Sequence, residues 1–250
     1  MAARQQALID EEDELVSQSL WLLELCRRSP LFRRELDIRS GASPRTRQIL
    51  LQAHNQAGLM IRAIFDVYSV AREIELTRYM SQRYPWSGTV IKKSDHLKLV
   101  WFQYINLCYL YKERVRVFCN ATNSAARFVG VGSRVDAKSE LKNVETKLGK
   151  FIRRRGEAFH EWSVPHAAIH LYEAVEIISR AGDAKFGGAE RGHYVDAKWD
   201  LKFDVECGLD FARAHYSSLL TNYRETITAI VVRFEHALAE VNNGGELTIK

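Results

Sequence analysis

The sequence predicts an all-α protein, a bundle of roughly five to six helices whose long members run antiparallel. Three observations carry that expectation. Apolar residues recur every three or four positions through several long stretches, which places them on one face of a helix. No run alternates apolar and polar residues at period two between strand-type borders. Only four prolines interrupt 250 residues, so long helices are permitted.

The elements follow in order. Acidic residues at 10–14 precede an apolar run from Leu15 to Leu25, and acidic groups favour the partly positive start of a helix, so a first helix is expected over 8–28. Arg27, Arg28, Arg33, Arg34, Arg39, Arg45 and Arg47 then make a basic connector, read either as a solvated loop with cations at a helix end or as a surface for a polyanion. Ser43-Pro44 suits a helix start, and the stripe Ile49, Ala53, Ala57, Met60, Ile64, Val67, Ala71, Ile74 continues to a stop before Pro85. Asp95 opens a third helix with the core stripe Leu97, Trp101, Tyr104, Cys108, Tyr111, Val115, Phe118. Residues 128–133 form a turn whose two glycines lack the Gly-Lys-Ser/Thr of a phosphate loop.

A fourth helix is expected over 136–160, with Leu141, Val144, Leu148 and Phe151 or Ile152 on one face. Continuing that spacing lands on Arg155 and Phe159, so a charge enters the apolar seam at the helix end. A short fifth helix after Pro165 carries His166, His170 and Glu173. Residues 182–194, with Gly182, Gly187, Gly188 and Gly192, are expected to be the longest turn-rich connector and a candidate lid. One last helix is expected from 196–200 through Leu209, Tyr216, Tyr223, Phe234 and Val241, ended by Asn242-Asn243-Gly244-Gly245. The length fits one domain, 1–250, with the N-terminal helix packed on a core of about 44–242.

Lys plus Arg outnumber Asp plus Glu by 36 to 31, a net charge of +5 with a pI near 9.0, which is compatible with a polyanionic partner such as RNA. Cys26, Cys108, Cys119 and Cys207 are scattered without a C-x-x-C pair and read as reduced, mostly buried thiols of an intracellular protein. The opening residues lack a secretory pattern and no apolar run is long enough to span a bilayer, so the expected location is cytoplasmic, away from the membrane.

The richest stretch chemically runs from Lys147 to Trp162, a basic helix end with Lys150, Arg153, Arg154 and Arg155, then His160-Glu161. Arginine and histidine without a carboxylate cluster fit acid/base work on a phosphodiester. Histidine exchanges a proton near neutral pH, and the planar guanidinium matches phosphate oxygens. RNA supplies its own 2′-hydroxyl nucleophile, so no metal or other cofactor is required.

Arg155-Gly-Glu-Ala-Phe-His160 resembles the R-x(4–6)-H motif of the HEPN superfamily (higher eukaryotes and prokaryotes nucleotide-binding domains). His160-Glu161 is similar to the His-Glu that closes the motif in many members, and Arg154 satisfies a five-residue spacer equally well. The likeness covers the motif helix and the preceding long helix with Asn106 to Arg114. It implies a dimerising helical bundle that cleaves RNA without metal, leaving 2′,3′-cyclic phosphate ends, as a toxin or antiviral factor restrained by an antitoxin or regulatory protein. Arg155, His160 and Arg154 would be catalytic, and Arg153, Lys150 and Glu161 would bind. The family usually has Asn, Asp or His after the motif arginine, where this chain has Gly156, or Arg155 if Arg154 is the motif arginine; members with a degraded motif are often non-catalytic.

Five residues of ideal helix turn through about 500°, leaving positions 155 and 160 about 140° apart. Either Gly156 breaks the helix and swings His160 round, or two protomers pool their residues across a twofold axis. Arg153, seven residues before His160, would share its face. Two other readings stand beside this one. His166 and His170, four apart, with Glu173, offer a metal-binding geometry. The basic segments 27–47 and 147–155 would equally serve a non-catalytic module that binds nucleic acid or protein.

Overall fold

The structure, a computed structural model, describes residues 20–30, 36–85, 90–161, 166–181, 187–247 and 249, with the backbone alone for 159–161 and 187. It is all-helical, and the described residues include no strand. The helices are α1 (20–28), α2 (Pro44–Gln82), α3 (Lys93–Phe128), α4 (Ala137–Glu161), α5 (Ala167–Arg180), α6 (Gly187–Asn222) and α7 (Arg224–Asn242). No described helix is long and apolar enough to cross a membrane. Residues 8–19 of the expected first helix, and Arg33 and Arg34 of the basic connector, lie outside the described residues.

Local chemistry sets most of the helix ends. The Ser43 hydroxyl accepts the Thr46 amide at 3.1 Å, capping α2 as Pro44 occupies its first turn. α3 starts at Lys93, two residues before the expected Asp95. Asp95 sits inside the first turn and reaches back to accept the Lys92 amide at 3.3 Å, while Glu176 accepts the Ser94 amide at 3.2 Å. Asp136 caps α4 by accepting the Ser139 amide at 3.1 Å. α3 stops at Gly130, whose φ of 74° lets Val131 donate back to the Ala126 carbonyl at 2.8 Å.

Two expectations change. Residues 187–194 are not connector but the first two turns of α6, so the candidate lid reduces to 182–186, which lies outside the described residues. Gly188 and Gly192 weaken a helix by about 1 kcal/mol each, but packing outweighs them. Glu190 accepts the Ser179 hydroxyl at 2.8 Å, and the Tyr194 ring lies 5.3 Å from that of Tyr172. The expected last helix is two, broken at Tyr223 (φ −110°, ψ 9°). Two residues earlier the Thr221 hydroxyl donates to the Ser217 carbonyl at 3.0 Å, a back-bond that bends helices.

The chain divides into two compact units, with α2, α3, α4 and α6 contributing to both. Unit 1 (1–67, 114–139, 213–250) is built on Leu50, Met60, Val115, Phe118, Ile230 and Phe234, all at most 2% exposed. Unit 2 (68–113, 140–212) is built on an aromatic layer of Trp101, Tyr104, Tyr111, Phe151 and Tyr172. Within it Tyr104 and Tyr111 donate their hydroxyls to the α6 carbonyls of Asp204 (2.7 Å) and Ala212 (2.9 Å). Gly208 faces Tyr104 across this contact: a Cβ there would run into the tyrosine hydroxyl and come within 3.0 Å of its ring carbons, so only glycine allows so close an approach. None of the four cysteines is in a disulfide; Cys108 and Cys119 are buried, Cys26 is half-buried, and Cys207 is exposed rather than buried.

Candidate functional site

The C-terminal half of α4 positions the basic cluster. Val144, Leu148 and Phe151 bury one face, with the Phe151 ring 4.9 Å from Tyr104 and 6.1 Å from Trp101. Beyond Phe151 successive residues advance about 100° around the axis, so three consecutive arginines point three ways. Arg153 is exposed. Arg154 is half-buried, its guanidinium carbon 5.6 Å from the centre of the Trp101 ring. Arg155 is half-buried on another side, donating from Nε to Asn106 Oδ1 at 3.1 Å with its guanidinium carbon 4.1 Å from the Tyr109 ring centre. The charge that enters the apolar seam is therefore held by α3.

α4 runs unbroken from Ala137 to Glu161. Gly156 neither breaks it nor adopts positive φ, so the expectation that it swings His160 round is corrected. The position is ordinary helix with open space where a Cβ would stand. Positions 155 and 160 therefore stay about 140° apart around one axis. The side chains of His160 and Glu161 lie outside the described residues. Lys150, expected to bind a partner, lies 3.0 Å from Asp204 Oδ1 with its ammonium 4.4 Å from the Phe151 ring centre, so its charge is largely engaged within unit 2.

Arg154 opens into a cleft of about 290 Å³ that it lines with His166, Ala167, Ala168, Asp200, Phe203 and Asp204. His166 is buried, edge-on to Trp101 with ring centroids 4.7 Å apart. Burial lowers its proton affinity; Asp204 and Asp200 act against that, and Arg154 adds to it. The imidazole is therefore held neutral at physiological pH.

His166 is the N-cap of α5: its carbonyl accepts the amides of Ile169 and His170 at 3.1 Å each, while its own backbone is extended (φ −137°, ψ 100°), so the side-chain spacing of two residues inside a helix does not describe the pair. His170 is exposed, with Nδ1 4.0 Å from Glu173 Oε2, and the other oxygen of Glu173 is engaged by Lys98. Among the described residues no group of three or more His, Cys, Asp or Glu is placed to hold a metal ion.

Sequence reasoning missed Asp200, Phe203, Asp204 and the Trp101 platform. A usable signal was present: Asp200 and Asp204 lie four apart, and Phe203 is an aromatic off the buried stripe of Leu201 and Val205, 65% exposed. Comparison of the chain with protein-family models, curated proteins and solved structures returns no match.

Proposed function

We propose that the chain is a HEPN-like, metal-independent RNA endonuclease with a composite Arg/His site at a homodimer interface, acting as a toxin or in phage defence. The observation that carries this reading is Arg155, whose guanidinium is immobilised by Asn106 and Tyr109 five residues before a histidine on the same helix. A preorganised guanidinium suits charge that develops on phosphate oxygens. His160 of one protomer would take the proton of a ribose 2′-hydroxyl as that oxygen attacks phosphorus; the bond to the 5′-oxygen breaks and that oxygen receives a proton, leaving a 2′,3′-cyclic phosphate. The separation of positions 155 and 160 around an unbroken helix favours the arginine coming from the second protomer. Arg154 and the exposed Arg153 would meet the flanking phosphates. An antitoxin or regulatory protein would cover the site. The bundle reading with antiparallel α3 and α4 is supported by contacts that run in opposite order, Trp101 with Phe151 and Lys112 with Glu145.

The same unbroken helix favours one alternative: a monomer with the two groups apart would bind RNA, or a protein partner, without cutting it. The deciding experiment incubates single-stranded RNA with purified protein in EDTA beside His160→Ala. Cleavage with cyclic phosphate ends, lost in the variant, is expected. Cleavage that survives the substitution, or that needs a divalent metal, would sink the assignment.

A further inference from the structure

We propose that the outer face of α6, the row Val195, Trp199 and Phe203 with its acidic edge, docks a basic amphipathic helix of a partner protein. This docking is independent of the RNA reading above and uses a surface of opposite charge.

α6 is apolar on two sides. Its inner stripe, Ala197, Leu201, Val205 and Leu209, is at most 1% exposed. On the other side Val195, Trp199 and Phe203 are 43%, 62% and 65% exposed. A surface helix keeps its outer side polar, so large apolar groups gathered there mark an interaction site. One exposed apolar residue alone means little, but these three stand four apart and turn only about 40° per step, so they make a single ridge about 12 Å long. By contrast, the exposed Leu51 and Leu59 of α2 are separated by Asn55. A ridge of residues four apart is what another helix takes into its groove in the commonest helix packing. Tryptophan is also among the residues that carry most of the binding energy at interfaces.

Charge selects the occupant. Between Glu190 and Asp210, α6 carries six carboxylates against Arg191, Lys198 and Lys202, a net −3 on a chain of +5. Three of the carboxylates are engaged: Glu190 by the Ser179 hydroxyl at 2.8 Å, Asp204 by Lys150 at 3.0 Å and Glu206 by Lys202 at 3.6 Å. Asp196, Asp200 and Asp210 are exposed and have no ion-pair partner among the described residues. Asp196 follows Val195 and Asp200 follows Trp199, so free carboxylates run along one edge of the ridge, about 100° round from it. On the other edge Lys198 donates to the Gln82 carbonyl at 2.7 Å, and the Lys202 ammonium stands 4.8 Å from the centre of the Trp199 ring. The face is therefore apolar with an acidic margin. Its complement is a helix with Lys or Arg beside apolar residues at helical spacing. A second copy of the same face would set net negative charge against net negative charge, and an anionic bilayer would be repelled.

The probe is a synthetic peptide of about five helical turns, with leucine along one face and arginine elsewhere, labelled with a fluorophore and titrated with the full chain by fluorescence anisotropy. One control peptide has the same composition with its leucines dispersed around the helix, and a second has glutamate in place of arginine. The amphipathic basic peptide should bind about tenfold or more tighter than the dispersed one, and the acidic one should not bind. Trp199→Ala and Phe203→Ala should each weaken it about tenfold or more. Asp196→Asn with Asp200→Asn should weaken it and reduce its salt dependence. Leu59→Ser, at an exposed leucine of unit 1, should leave it unchanged. All these residues are exposed, so circular dichroism of each variant should stay native. Equal binding of the dispersed peptide, or binding that Trp199→Ala leaves intact, overturns the docking face. A dimer in size-exclusion chromatography that Trp199→Ala disperses overturns it too, by giving the face to a second copy.

Discussion

Gly208→Ala puts the closest helix approach in unit 2 under direct test. The added methyl would fall on the Tyr104 hydroxyl and press on ring carbons at 3.0 Å. Tyr104 cannot swing aside, because it is fully buried and its hydroxyl donates to the Asp204 carbonyl at 2.7 Å. Burial drives its pKa far up, so the hydroxyl keeps its proton. Overpacking a buried contact costs about 1–3 kcal/mol. Displacing the hydroxyl from its acceptor costs about 1–3 kcal/mol more, and the higher helix propensity of alanine returns about 1. The net expectation is a loss of about 1–5 kcal/mol, read as a lowered urea midpoint by circular dichroism. Adding Tyr104→Phe removes the hydroxyl that clashes, so the double variant should lose less than the sum of the singles by about 1 kcal/mol or more. If Gly208→Ala is neutral, or stabilises by the propensity gain alone, the close-approach argument is wrong.

Three further outcomes follow from the same structure. Gly156→Ala, at a helix position with open space around it, should stabilise by about 0.5–1 kcal/mol and leave the RNA cleavage proposed above unchanged; a loss of that cleavage would restore a local role for the glycine. Asn123→Ala removes both clamps on the turn before α4, the bonds to the Val135 carbonyl (3.0 Å) and amide (2.8 Å), and should cost about 1–3 kcal/mol in denaturant titration. Burial lowers the proton affinity of His166 and His96 below the ordinary value of 6.5. The unfolded chain then binds protons that the folded rings refuse, so stability should fall as pH drops through about 6.5 and level off below the folded values. His166→Gln should flatten that slope in urea midpoints taken across the range.

The helical faces were legible because burial and periodicity agree. Every residue of the α3 stripe from Leu97 to Phe118 is buried, and seven of the eight expected on α2 are, with Ile49 half-buried. Caps written in adjacent residues, such as Ser43-Pro44 and Asn242-Asn243-Gly244-Gly245, fell where they were read. What failed depended on distant partners. Nothing near Gly188 or Gly192 announces that Ser179 and Tyr172 will hold that segment helical. Tyr223 lies on the expected apolar spacing and still interrupts its helix. At the candidate site, Arg155 stood out because it broke a pattern in its own helix. Asn106 and Tyr109, which hold it, come from another helix, and Asp200 and Asp204 come from more than forty positions downstream.

The arginine run at the end of α4 works as a collar. Its members sweep about 200° of arc, so positive charge is spread around just over half of the helix end. The three guanidiniums are held unequally: Arg155 is clamped by Asn106 and Tyr109, Arg154 rests against an indole and Arg153 is exposed. On the RNA reading proposed above, capture and alignment would be divided among neighbours in the chain: the exposed arginine would govern how fast and how salt-sensitively a strand arrives, and the clamped one how it lies once there.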